Sequence, residues 1–292
     1  MADLETNRMY RLADGHSVCK KNFLITGATG FVGKTLTKHL LVGGHTVRGT
    51  LLPGESPDSL IPGVVPTVVA PLGQDACWRH ALEGIDTVIH LAARVHIMDD
   101  PSTDRLLEFR RVNVKGTLKL AHDAAKAGAK RFVFVSSVKV NGEESPVPYH
   151  AASPFNPQDP YAVSKMEAEL GLRSIEAETG LEVVIVRPPL VYGPGVKANF
   201  LRLLRVIQRG MPLPLASIRN RRSLVYVGNL ADALAACATH PKAAGQVFPV
   251  SDGEDVATPE LLRLCAAALE TPPRLVPCPV TLLRLAGKGL EG

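Results

Sequence analysis

The chain has 292 residues, 46% hydrophobic and 21% charged, a composition that excludes disordered and collagen-like chains and supplies apolar side chains for a sizeable core. Its 33 basic and 28 acidic residues leave a formal charge of +5, a mild bias towards anionic ligands that gives no argument for nucleic acid. No apolar run approaches the ~18 residues of a membrane span, and Cys19, Cys77, Cys237, Cys265 and Cys278 form neither a CxxC pair nor a zinc pattern.

The leader 1–22 is polar and lacks the apolar stretch of a signal peptide, which argues for a cytoplasmic protein. Phe23-Leu24-Ile25-Thr26 is a short apolar run suited to a buried strand, and it breaks at Gly27. Val32, Leu36 and Leu40 then share one helical stripe, which Gly43-Gly44 ends by permitting positive φ. Further strands are predicted at 45–49, 64–70, 87–91, 131–136 and 182–187, with helices near 76–83, 103–127 and 161–179. Such alternation makes a parallel sheet covered on both faces. After Arg187, prolines at 188, 189, 194, 212 and 214 break the rhythm around a helix near 200–209 and a strand at 224–227. Val247 to Ser251 reads as a strand returning to the main sheet, and Thr258-Pro259 as the N-cap and first-turn proline of another helix. The expected division is a leader 1–22, a main domain 23–187 with a return strand within 224–251, and a small interleaved lobe from 188–223 and 252–292.

Gly27, Gly30 and Gly33 stand at i, i+3 and i+6 between the first strand and the first helix. The first permits a tight turn, the second lets a pyrophosphate approach the backbone, and the third lets helix and strand pack closely. The anion then sits on free N–H groups at the positive helix end. Such a loop identifies a dinucleotide fold. The carboxylate that would bind the adenosine ribose at the end of the second strand is missing from Val47-Arg48-Gly49-Thr50-Leu51. Arg48 is either a partner for a 2′-phosphate or an exposed strand-end arginine, which leaves NAD and NADP both open.

Tyr161 and Lys165 lie at i, i+4 on one helix face behind Pro160. A nearby ammonium favours the phenolate, so the lysine is expected to lower the tyrosine pKa. Ser136-Ser137 ends the apolar strand 131–135, at the edge where parallel sheets bind ligands. Alternation lets only one of the two serines point into a cleft.

Taken in order, Gly27-Ala28-Thr29-Gly30-Phe31-Val32-Gly33, His90-Leu91-Ala92-Ala93, Ser136-Ser137 through Val140-Asn141-Gly142, Tyr161 to Lys165, and Arg187-Pro188 through Val191-Tyr192-Gly193-Pro194 resemble the extended short-chain dehydrogenase/reductase family. The resemblance covers about residues 22–270 and is to the nucleotide-sugar epimerase and reductase branch. It implies a Rossmann-type doubly wound α/β sheet with a smaller, interleaved C-terminal substrate lobe. It also implies that Ser137 holds the reacting oxygen, that Tyr161 transfers its proton, and that Lys165 tunes the tyrosine and binds the nicotinamide ribose. Cofactor contacts are implied for Gly27, Thr29, Gly30, Phe31, Val32, Gly33, Leu72, Leu91, Ala92, Ala93, Tyr161, Lys165 and Pro188. Ser137, Asn199 and Arg222 are the implied substrate contacts, the last two at the diphosphate of a UDP-sugar. Asn113 is expected to support the active-site backbone, and a homodimer through 103–127 and 161–179 follows from the same likeness.

Where the family's dehydratases carry Asp and Glu after a threonine, this chain has Val138 and Lys139, which argues against dehydratase chemistry. Pro71-Leu72 stands where relatives place an adenine-binding Asp, so loose cofactor binding is expected. The C-terminus at Leu290-Glu291-Gly292 comes early, as if the small lobe were incomplete. His90 is expected to be a satisfied core histidine, with Arg94, His96 and Met98 candidates for the cleft wall. Cys77, Cys237 and Cys265 are expected in apolar packing, and Arg219 and Arg221 in solvent. The leading expectation is NAD(P)-dependent oxidation and reduction at C4 of a UDP-hexose or UDP-N-acetylhexosamine, as an epimerase or a ketoreductase serving surface-polysaccharide synthesis. A 3β-hydroxysteroid-type dehydrogenase shares the catalytic residues but has no diphosphate for Arg222 and Asn199. A non-catalytic dinucleotide sensor would ordinarily lack the tyrosine and lysine pair.

Overall fold

Among the described residues the chain forms nine strands: β1 (Asn22–Thr26), β2 (Thr46–Leu51), β3 (Val65–Val68), β4 (Thr87–His90), β5 (Arg131–Val135), β6 (Glu182–Arg187), β7 (Leu190–Tyr192), β8 (Leu224–Tyr226) and β9 (Val247–Pro249). The helices are α1 (Phe31–Val42), α2 (Arg79–Leu82), α3 (Arg105–Phe109), α4 (Thr117–Lys126), α5 (Pro160–Thr179), α6 (Ala198–Gln208), α7 (Val227–Thr239) and α8 (Thr258–Ala268). These come from a computed structural model that describes residues 20–73, 75–95, 104–196, 198–279 and 281. Seven strands make one sheet in the order β3-β2-β1-β4-β5-β6-β9, every neighbouring pair parallel. Strand order reverses between β1 and β4, and the crevice beyond their carboxyl ends is where such sheets bind ligands.

Both faces of the sheet are covered because successive side chains of the central strands are apolar on opposite sides. Phe23, Ile25, Val133 and Val184 face one layer, where Leu36 and Leu40 of α1 meet Leu230 and Leu234 of α7. Leu24, Phe132, Phe134 and Val183 face the other, against Leu82 of α2, Leu120 of α4 and Leu172 of α5. A separate cluster of Ile207, Leu262 and Ala266 joins α6 to α8.

Several expectations need correction. The strand expected at 247–251 does return to the main sheet, as β9 beside β6, whereas β8, at the strand expected over 224–227, pairs with β7 in a two-stranded sheet of its own, so the span 224–251 does not belong to the main sheet throughout. Between them α7 buries Val227, Leu230, Ala231, Leu234 and Ala238, a helical stripe the sequence carries but the strand reading passed over. Thr258 opens α8 without capping it; its N–H donates instead to Oδ1 of Asn220 at 2.8 Å. Gly44, with φ +78°, supplies the positive angle after α1, whereas Gly43 does not. Cys77 is exposed, because α2 starts only at Arg79 and Trp78 fills the core position instead. Among the described residues no helix is long and apolar enough to cross a membrane. Cys19, His96 and Met98 lie outside the described residues.

Candidate active site

The phosphate loop is shaped by what its glycines lack. Gly27 adopts φ +70°, and a Cβ there would stand 3.0 Å from the Ala92 nitrogen on the neighbouring β4 edge. At Gly33 a Cβ would lie 2.1 Å from the Gly27 carbonyl oxygen, so only glycine lets α1 start this close to the turn. Gly30 is the N-cap of α1 and offers no side-chain acceptor, leaving the first-turn N–H groups to an anion. Thr29, Phe31 and Val32 are half-buried around this opening. The cradle fits a dinucleotide pyrophosphate.

At the β4 edge Thr26 Oγ1 accepts the Ala92 N–H at 3.2 Å and meets His90 Nδ1 at 2.6 Å, while His90 Nε2 meets Thr117 Oγ1 at 2.9 Å. Burial, then the charge of Lys165, push the His90 pKa down to about 3, so the ring is a neutral strut. A neutral imidazole has one N–H, and it therefore donates to one threonine and accepts from the other. This satisfied histidine matches expectation and ties β1, β4 and α4 behind Leu91, Ala92 and Ala93.

Asn113 sits in a π-helical stretch, Arg110–Gly116, between α3 and α4. Its Oδ1 accepts the Arg94 N–H at 2.8 Å, and its Nδ2 donates to the Arg94 carbonyl and to Ser164 Oγ, each at 3.0 Å. Ser164 Oγ donates in turn to the Tyr161 carbonyl at 2.7 Å. The chain after β4 is thereby fixed to the helix that carries Tyr161 and Lys165.

That helix, α5, starts where it does because Asp159 caps it, accepting the Ala162 N–H at 2.7 Å, and Pro160 fills its first position. Lys165 is buried, donates from Nζ to the Val135 carbonyl at 2.6 Å and stands 4.2 Å from the centroid of the Phe134 ring. Burial pushes its pKa down to about 7 against the pull of Glu169. Tyr161 departs from expectation. Burial and then Asp159 push its pKa up to about 12, and the cation that opposes them is Lys139 rather than Lys165.

Ser137 is half-buried and starts a 3₁₀ turn, Val138–Asn141, by accepting the Lys139 N–H at 3.2 Å. Ser136 is buried, with no hydrogen-bond partner for its hydroxyl among the described residues. Beyond the turn, Asn141 donates to the Ser153 and Pro154 carbonyls, and its Oδ1 accepts from Arg187 at 3.3 Å. Arg187 and Glu169 form a buried bidentate ion pair, with contacts from 2.6 to 3.2 Å. The Pro188 carbonyl, next in the chain, accepts the Val138 N–H at 3.0 Å.

Arg48 donates to the carbonyls of His80, Ala81 and Glu83, completing the C-terminal end of α2, so it is not placed for a 2′-phosphate. Leu72 packs against the core beneath Gly116. Arg222 is exposed, held by backbone pairing with Val256, and its guanidinium has no ion pair among the described residues. Arg221 lies in solvent as expected, 3.9 Å from Asp255. Asn199 lies in the first turn of α6, and its side chain is outside the described atoms. Lys139, Asp159 and Ser164 escaped the sequence reading, although Asp-Pro directly before Tyr161 is a recognisable helix start.

A doubly wound sheet, a glycine cradle at its switch point and a Tyr-x-x-x-Lys helix beside it define an extended short-chain dehydrogenase/reductase enzyme. Residues 23–251 match the NAD dependent epimerase/dehydratase family, and the chain belongs to it. It is 42% identical to a UDP-glucose 4-epimerase of Vibrio cholerae, over 95% of this chain and 84% of the relative. A 3-beta-hydroxysteroid dehydrogenase of Mycolicibacterium neoaurum is 32% identical, over 82% and 68% of the two chains. Among solved structures, MoeE5 in complex with UDP-glucose and NAD superposes with a TM-score of 0.73 at 26% identity, covering 88% of this chain and 85% of that one.

Proposed function

We propose that the protein is an NAD-dependent 4-epimerase of UDP-hexoses. The observation that carries this reading is the junction of the phosphate cradle with the capped start of α5, which brings Tyr161 and the buried Lys165 to the carboxyl edge of β4 and β5. Similarity to a UDP-glucose 4-epimerase over nearly the whole chain supports the sugar. The engagement of Arg48 with α2 supports NAD over NADP.

Gly27, Gly30 and Gly33 would hold the pyrophosphate, Leu91 to Ala93 would line the nucleotide groove, and Lys165 would meet the nicotinamide ribose. NAD, when bound, would supply an acceptor and donor of hydride for C4. Ser137 orients the C4 oxygen, and Tyr161 removes its proton as the carbinol becomes a ketone. Tyr161 returns that proton when the ketone is reduced on the opposite face. Arg222 and Asn199 hold the diphosphate, and the guanidinium fork suits phosphate oxygens. Val138 and Lys139 supply no carboxylate pair for water loss, which argues against a dehydratase. The proposed setting is surface-polysaccharide sugar synthesis.

The test is incubation with UDP-glucose or UDP-N-acetylglucosamine and NAD, followed by chromatography of the C4 epimers. Because a steroid dehydrogenase is also a relative, the assay is paired with calorimetric titration of UDP into wild type and Arg222→Ala. We expect the variant to bind UDP more weakly by ~1.5 to 3 kcal/mol, the range for a hydrogen bond to a charged group. Equal affinities, with turnover of a 3β-hydroxysteroid, would replace the sugar reading by the steroid one.

A further inference from the structure

Lys139 occupies a position that the proposed chemistry leaves unused. It lies two residues beyond Ser137, in the 3₁₀ turn that the Ser137 hydroxyl begins. Its ammonium donates to Asp159 Oδ2 at 2.7 Å and contacts Glu143 Oε1 at 2.8 Å. Asp159 spends its other oxygen on the Ala162 N–H, in the first turn of the helix that carries Tyr161. One carboxylate therefore joins the serine turn to the tyrosine helix.

We propose that Lys139 is a positioning residue for Tyr161: it clamps the Ser137 turn to the start of α5 and neutralises the Asp159 carboxylate two residues before Tyr161. The inference rests on Tyr161 as the proton-transfer group of the proposed reaction. Asp159 alone would repel a phenolate, and its negative charge acts in that direction on Tyr161. Lys139 supplies the opposing positive charge. Burial works against the ammonium, but its bonds to Asp159 and Glu143 outweigh burial and raise its pKa, so the charge persists through the working range. From α3, Tyr161 meets the uncharged Phe109 ring, with Arg94 stacked on that ring at 5.9 Å. The neighbouring Arg110 is paired with Glu167 of α5, and Lys165 is turned to the Val135 carbonyl. Lys139 and Asp159 thus act on the phenol with opposed charges.

The experiment titrates the Tyr161 phenolate by ultraviolet absorbance with NAD saturating. Each protein is measured against the same protein carrying Tyr161→Phe, so the other tyrosines cancel. Lys139→Met should raise the midpoint by about one pH unit, a tenfold loss of phenolate at fixed pH. Asp159→Asn keeps a capping side chain and should lower the midpoint. Lys139→Arg keeps the charge and should restore the wild-type value. The pH profile of UDP-hexose turnover should move in the same three directions. Midpoints that stay put, or that shift the same way in Lys139→Met and Asp159→Asn, would overturn the proposal. Should Lys139→Met fail to fold, Asp159→Asn alone decides, since no downward shift is compatible only with a structural role. Lack of UDP-hexose turnover by wild type would sink the functional reading, whereas the absorbance titration needs no turnover and still judges Lys139.

Discussion

Lys165 is a charge-bearing side chain that folding strips of water, and its remaining partners are a carbonyl and an aromatic face. Its pKa of about 7 in the folded protein lies below the unfolded lysine value of ~10.4. Between those values the unfolded chain binds a proton that the folded chain has given up, so wild-type stability should rise with pH across that window. Lys165→Met is expected to melt a few degrees above wild type at pH 6.5 and to lose turnover, the usual opposition of stability and activity at a strained site. Melting curves at pH 6.5, 8 and 9.5 should show the gap closing as pH rises; parallel curves would mean that the amine is not neutralised by folding. Tyr161 makes the complementary demand, because burial keeps its proton on and the reaction needs it off. Tyr161→Phe preserves the ring and removes the transferable proton. Turnover should fall on the order of 10²-fold or more while NAD affinity, measured by calorimetry, stays near wild type.

At the scale of elements, the candidate active site depends on how α5 is anchored at both ends of the half that carries Tyr161 and Lys165. Asp159 fixes its start, and the Glu169 pair with Arg187 fixes its second and third turns to β6 and, through Asn141, to the loop after Ser137. Removing one partner of a buried pair leaves the other charge without compensation. Glu169→Gln should therefore cost ~3 to 5 kcal/mol in urea unfolding at pH 7. A loss below ~1 kcal/mol would show that Arg187 finds water or other acceptors. This anchoring was not legible in the sequence, since Glu169, Arg187 and Asn141 come from three elements and meet only through the packing of α5 on the sheet. Gly27, Gly30 and Gly33, and Tyr161 with Lys165, were legible as motifs because their placement at the start of one helix and on one helix face depends on local spacing, over six residues and four. The expected lowering of the Tyr161 pKa failed for the same reason: spacing puts Lys165 on the right helix face, but the Val135 carbonyl and the Phe134 ring decide where its ammonium points. Likewise the apolar run of β8 marks a strand, but only its pairing partner, β7, tells which sheet it joins.

For the whole molecule, the main question is how firmly the enzyme keeps its nucleotide between turnovers. The pyrophosphate end is tightly built, with Gly27 and Gly33 shaped to backbone contact. The adenosine end is not: β2 finishes in Gly49-Thr50-Leu51 without a carboxylate, Pro71 follows β3, and Arg48 is spent on the carbonyls ending α2. Each missing hydrogen bond to the adenosine removes roughly 0.5 to 1.5 kcal/mol, so two such losses weaken binding on the order of tenfold or more. An epimerase that returns hydride to the same sugar gains from a retained cofactor, whereas loose adenosine contacts favour exchange with the pool. We therefore expect the purified protein to release much less than one nicotinamide per chain on denaturation, and its epimerisation rate to rise with added NAD towards saturation. Restoring an acidic side chain with Pro71→Asp should raise the retained fraction, measured by mass spectrometry of the denatured supernatant. Stoichiometric nicotinamide in the wild-type protein, with full turnover and none added, would show that the pyrophosphate cradle and Lys165 suffice to hold the cofactor.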